Sequence, residues 1–96
     1  MSQPDHLADN PTLARADSLV ASEVGGEVVI LNIDSGFFFL LNKTGSRVWD
    51  LLETPLALQA ITDALIQRFV VDPEDCRREV GEFLEVMLAK GLLRRV

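Results

Sequence analysis

The sequence predicts an α+β domain built as a three-stranded antiparallel β-meander followed by three α-helices. Three observations predict it. Apolar and β-branched runs crowd residues 19–42 between turn signals, apolar spacing switches to a helical period after Asn42, and proline and glycine punctuate each change.

The first strand is read over Leu19 to Glu23, and Gly25-Gly26 supplies the turn after it. Glu27 to Ile33 (EVVILNI) is dense in β-branched residues and short enough for a buried strand. Asp34-Ser35-Gly36 reads as a second hairpin turn, and Gly36 to Asn42 (GFFFLLN) as the third strand. Asn42, Lys43 and Thr44 offer a helix start ahead of Val48, Trp49, Leu51 and Leu52, which share one helical face. Thr54-Pro55 ends that helix, because the residue before proline is biased away from the α region. A second stripe runs through Leu56, Leu58, Ile61, Leu65, Ile66 and Phe69. The third helix has the strongest start: Asp72 as N-cap, Pro73 at the first helical position, and Glu74 and Asp75 on the positive end of the dipole. It runs to about Lys90, with Gly91 in the C-cap place and residues 92–96 as a tail. Residues 1–17, with Pro4, Pro11 and four Asp or Asn, read as a flexible N-terminal arm, leaving 18–96 as the single domain. Three helices with a small sheet form the element set of a winged helix, here with the sheet first.

Composition excludes several functions. The 96 residues are 48% hydrophobic, enough for one core, and no apolar run reaches the ~18 residues of a membrane span. The polar, acidic N-terminus lacks the charged and apolar regions of a secretory signal, and a lone cysteine fits a reducing compartment, so a cytoplasmic protein is expected. Nine basic against fifteen acidic residues give a net charge of −6, which argues against binding nucleic acid. The only histidine, His6, falls in the arm, where it reads as a solvated residue. Cys76 lies in the first turn of the third helix, where the dipole lowers a thiol pKa, yet it shares the stripe of Val80, Phe83, Leu84 and Met87 and reads as core. Metal ligands do not cluster and no phosphate-binding or nucleophile motif is present, so neither an enzyme nor a bound cofactor or metal is expected.

Two features remain. Phe37, Phe38, Phe39, Leu40 and Leu41 make a strand apolar on both faces, so the second face is covered by the arm or the first strand, or awaits a partner. Gly81 interrupts the third helix at a cost of ~1 kcal/mol, and lies beside Arg77, Leu84 and Leu88 on one flank of the apolar stripe. It reads as a close-approach point for the second helix or for an incoming peptide. A strand edge beside such a flank is the layout for peptide capture by strand addition.

The order Val28-Val29-Ile30-Leu31-Asn32, Ser35-Gly36-Phe37-Phe38-Phe39-Leu40-Leu41-Asn42, Thr44-Gly45 and Val48-Trp49-Asp50-Leu51-Leu52 resembles the PqqD-like proteins. Phe83-Leu84 and Leu88-Ala89-Lys90-Gly91-Leu92-Leu93 fit the same pattern, so the resemblance covers roughly residues 18–94. It implies a winged-helix-like, non-catalytic recognition element that binds the leader segment of a ribosomally made precursor peptide. Such elements add the leader as a strand and present it to a modifying enzyme, a radical-SAM enzyme in pyrroloquinoline quinone synthesis or a leader peptidase in lasso-peptide synthesis. The turn from Asn32 to Gly36 and the aromatic strand look more like the lasso-type recognition proteins. Carried over by position, the peptide-binding residues are Phe37, Phe38, Phe39, Leu40 and Leu41 on the strand, and Arg77, Val80, Gly81, Leu84 and Leu88 on the helix. The rival readings are a structural module that self-associates, as a homodimer, through the Phe38/Leu40 face, and a DNA-binding winged helix, which the acidic third helix disfavours.

Overall fold

The computed structural model describes residues 9–96. Residues 1–8 of the expected arm, with Pro4 and His6, lie outside the described residues.

The elements run β1 (Thr12–Arg15), β2 (Leu19–Val24), β3 (Glu27–Asn32), β4 (Phe38–Leu41), α1 (Lys43–Leu51), β5 (Leu56–Ala57), α2 (Leu58–Arg68), α3 (Pro73–Ala89) and β6 (Leu93–Arg95). The expected meander is the antiparallel sheet β2-β3-β4, followed by the three expected helices. Gly25 and Gly26, both at positive φ (62° and 84°), form the two-residue turn that pairs Val24 with Glu27. The second hairpin closes with a G1 bulge. Gly36 sits at φ 77° and donates to the Asn32 carbonyl at 2.8 Å, while the Asn32 N–H reaches the Phe37 carbonyl at 3.0 Å. The Asn32 side chain braces the loop by accepting from the N–H groups of Asp34 and Ser35.

Part of the expected arm is instead structural. Thr12–Arg15 is a strand at the centre of a second sheet, β5-β1-β6, pairing Leu13 with both Leu56 and Arg95. The side chain of Leu13 is wholly buried in the main core with Ile30, Leu52, Ile61 and Leu84. The expected C-terminal tail supplies β6, and the second helix starts at Leu58 because Leu56 and Ala57 are taken by β5. The segment is a strand because Leu13 and Ala14 bury against the core while its backbone pairs on both edges.

The core lies between the inner face of β2-β3-β4, which contributes Val28, Ile30 and Leu41, and the apolar stripes of the helices. Replacing Leu13 with Ala is expected to cost about 2–4 kcal/mol, the range for a fully buried leucine. Urea denaturation checks this; an undiminished stability would return the segment to the status of an arm.

Candidate functional site: an open strand edge beside the third helix

The backbone of β4 decides what this sheet edge offers. In an antiparallel ladder, directly opposed residues alternate between hydrogen-bonded and non-hydrogen-bonded pairs. Asn32 donates to Phe37, and the register pairs Ile30 with Phe39 and Val28 with Leu41. Those residues therefore turn their peptide groups toward β3. On the far side of β3, the Ile33 N–H bonds the Ser18 carbonyl at 2.9 Å, which fixes the opposite phase toward β2. Phe38 and Leu40 fall between the bonded pairs, so their N–H and C=O groups point out of the sheet along its open edge.

Side chains alternate in the same way. Phe39 is half-buried and Leu41 buried on the inner face, whereas Phe38 and Leu40 are 69% and 68% exposed on the outer face. Phe37, 68% exposed, follows the bulge. The other edge strand, β2, carries Glu23 among its open peptide groups, a charge of the kind that blunts edges. Phe38–Leu41 has no charge, proline or glycine.

The turn into α1 ties this edge to the helices. Asn42 caps α1 by accepting from the Gly45 N–H at 2.8 Å. Ser46, 2% exposed, accepts the Val28 N–H at 2.8 Å and donates to the Leu41 carbonyl at 3.2 Å, so its hydroxyl stands in the β3–β4 ladder. Gly45 faces α3: a Cβ there would lie 2.9 Å from Cζ of Phe83. Farther along α3, the Lys90 ammonium stands 5.9 Å from the Phe39 ring. Phe83 and Lys90 therefore mark the flank of α3 that borders β4.

This geometry separates the ten residues expected from the sequence. Phe37 to Leu41 form the open strand. Val80 and Leu84 are buried in the core, 5% and 0% exposed. Arg77, Gly81 and Leu88 lie roughly 120–160° around α3 from Phe83, at 100° per residue, and so turn away from the β4 side. The second helix does not make the close approach expected at Gly81, since a Cβ there would meet nothing within 4 Å. Gly45 is the glycine that admits a close neighbour. Phe83, Glu79 and Lys90 border the strand side without having been singled out for it; Phe83 is hidden in the apolar stripe, and a helical wheel has two flanks that only packing distinguishes. Gly81→Ala is expected to raise stability by about 0.5–1 kcal/mol, because it removes a mid-helix glycine without a clash. A thermal melt checks it, and destabilisation would mean that a neighbour does press on this position.

Cys76 is buried. Burial pushes its thiol above the ordinary value of 9.0, the Glu79 carboxylate adds to the rise, and Arg77 offsets part of it. The dipole-activated alternative is not realised. A raised pKa leaves less thiolate near neutrality, so alkylation is expected to be slower than for free cysteine and to keep rising with pH beyond 9.0, where a free thiol has begun to level off. Labelling rate against pH tests this; a fast reaction at neutral pH contradicts it. Among the described residues no group of three His, Cys, Asp or Glu side chains is placed to hold a metal. No helix of the described residues is long and apolar enough to cross a membrane.

The fold and its open edge define an α+β domain, an antiparallel meander followed by three helices, with a strand available for pairing. The chain belongs to the PqqD family: the family model for coenzyme PQQ synthesis protein D matches residues 27–93. Among solved structures, TbiB1 in complex with the TbiA(β) leader peptide is 33% identical, with a TM-score of 0.80 over 84% of this chain and 94% of that one. A lasso peptide synthetase B1 complexed with the leader peptide has the same fold, at 16% identity and a TM-score of 0.76 over 85% of this chain and 96% of that one. No curated protein matches the chain.

Proposed function

We propose that this chain captures the leader segment of a ribosomally made precursor peptide by strand addition along β4. It then presents the precursor to a modifying enzyme without chemistry of its own. The observation that carries the reading is the outward set of peptide groups at Phe38 and Leu40, on an uncharged edge bordered by α3. Main-chain hydrogen bonds of this kind give affinity that tolerates many sequences, and the adjoining side chains select among them. Family membership and the 33% identical relative held with a leader peptide support the same conclusion.

The groove is assigned to Phe37 to Leu41 on one side and to Glu79, Phe83 and Lys90 on the other. Val80 and Leu84 act from beneath as packing that holds α3 in place. The likeness to lasso-type B1 proteins favours a leader peptidase over a radical-SAM enzyme as the partner. Val20, Phe38 and Leu40 expose apolar side chains on the outer side of the sheet, joined across β3 by the half-buried Leu31 and Val29, a surface suited to that enzyme. Self-association through this face is the second reading, and light scattering over a concentration series separates them: a strict monomer removes it.

Leu40→Pro tests strand addition, since proline deletes an outward donor while leaving every donor to β3. The variant is expected to fold and to lose at least tenfold in affinity for a leader peptide, measured by fluorescence polarisation with a scrambled leader as control. Phe39→Pro, which deletes a donor to β3, is expected to unfold the sheet instead. An N-methyl scan of the peptide gives the same information without altering the protein: alternate positions should lose affinity. Undiminished binding by Leu40→Pro together with a flat N-methyl scan overturns strand addition.

A further inference from the structure

Where β4 begins, Asn32, Ser35, Phe37, Phe38, Phe39 and Lys90 line an open depression of about 520 Å³. Its polar side chains are donors that bond no protein acceptor. The Asn32 side-chain oxygen takes the N–H groups of Asp34 and Ser35, which leaves the Nδ2 amide free to donate. The Ser35 hydroxyl oxygen accepts the Phe37 N–H at 3.3 Å, so its proton is free as well. The Lys90 ammonium stands 5.9 Å from the Phe39 ring, and among the described residues no carboxylate lies within ion-pair distance of it. A Cβ at Gly91 would come 3.8 Å from Nδ2 of Asn32, which sets that amide against the end of α3 beside Lys90. The carbonyls of Val86, Met87 and Leu88 at the same helix end are bonded by the N–H groups of Lys90, Leu92 and Gly91. Three unused donors, one of them charged, with no free side-chain acceptor, match a carboxylate.

We propose that this depression selects an Asp or Glu side chain of the bound leader peptide, with Lys90 as the specificity-determining cation. The proposal rests on the leader-binding reading and extends it from backbone pairing to sequence. The position of the acid follows from the ladder. Phe38 and Leu40 point their peptide groups outward, so an added antiparallel strand makes its bonded pairs there. A residue opposite Phe39 then forms a non-hydrogen-bonded pair, and its side chain shares the inner face with Phe39. That residue, or the one two places along opposite Phe37, turns its side chain toward Lys90. Charge on the rest of this flank has the opposite sign: Glu79 lies about 16 Å back along α3, at 1.5 Å per residue, and the chain as a whole carries −6. A carboxylate is therefore attracted at this end of the groove and repelled along the remainder.

The probe is the TbiA(β) leader peptide, fluorescently labelled at its N-terminus, with each residue replaced in turn by Glu or by Lys. Fluorescence polarisation gives the ratio of Glu-peptide to Lys-peptide affinity at every position. It compares the unaltered chain with Lys90→Met, which keeps the side-chain length without the charge, and with Lys90→Glu. Arg68→Glu, at the end of α2, changes the net charge equally and serves as control. Circular dichroism establishes that each variant is folded. The net charge of −6 favours Lys at most positions, yet one position in the strand-paired segment is expected to favour Glu by about fivefold or more. Lys90→Met should abolish that preference and Lys90→Glu reverse it, while Arg68→Glu leaves it in place. Absence of any Glu-preferring position, or a preference that survives Lys90→Met, would overturn the carboxylate site while leaving strand addition standing. Failure of the unsubstituted peptide to bind the unaltered chain would overturn the leader-binding reading itself.

Discussion

A single buried hydroxyl joins the sheet to the helices. Ser46 accepts the Val28 N–H and donates to the Leu41 carbonyl, so the first turn of α1 is wedged into the end of the β3–β4 ladder. A buried hydroxyl with both roles filled holds a more defined geometry than apolar contact alone, because any displacement strands two backbone groups without partners. The residues around Ser46 inherit that placement. Asn42 caps the helix one turn earlier, Gly45 meets Phe83, and Val48 and Trp49 enter the core. The distance between the β4 edge and α3 is thus set from residues 42–46, and with it the width available to an added strand.

The second sheet secures the other end of the same helix. β1 bonds both β5 and β6, and β6 follows α3 directly through Gly91. The Ala16 N–H also reaches the Leu92 carbonyl at 3.0 Å. Arg15 adds a lateral tie by donating to the Trp49 carbonyl at 2.7 Å, its guanidinium 4.5 Å from the Trp49 ring centre. The N-terminal strand therefore acts as a clasp on the helical layer although it lies far from the open edge.

The meander and the three helices were legible because their signals are local: β-branched runs, Gly25-Gly26, the Asx-and-glycine turn from Asn32 to Gly36, and the Asp72-Pro73 helix start. β1, β5 and β6 were not, since strands of two to four residues show no periodicity and owe their existence to partners more than forty residues away in the chain. The strand of the candidate site was legible for the same local reason, as an apolar run without alternation. The flank of α3 was not. A glycine at Gly81 gives the same sequence signal whether it admits a neighbour or faces open space, and only the packing of Phe83 on Gly45 shows which side of the helix meets the sheet.

An uncharged open strand is an aggregation hazard, and the molecule limits it through geometry more than chemistry. β4 is four residues long, and the G1 bulge at Gly36 twists the chain at its start. Phe83 and Lys90 of α3 stand beside the remaining edge, so a lone extended segment has access where the edge of another sheet, with its own neighbours and facing layer, meets the helix. The net charge of −6 adds repulsion between copies at a distance. Lys90, placed against Phe39, puts a cation at the mouth of the edge in an otherwise acidic molecule. The same constraints that keep the edge from pairing with its own kind thus favour a single flexible strand from another chain, which is the property a leader-binding domain needs.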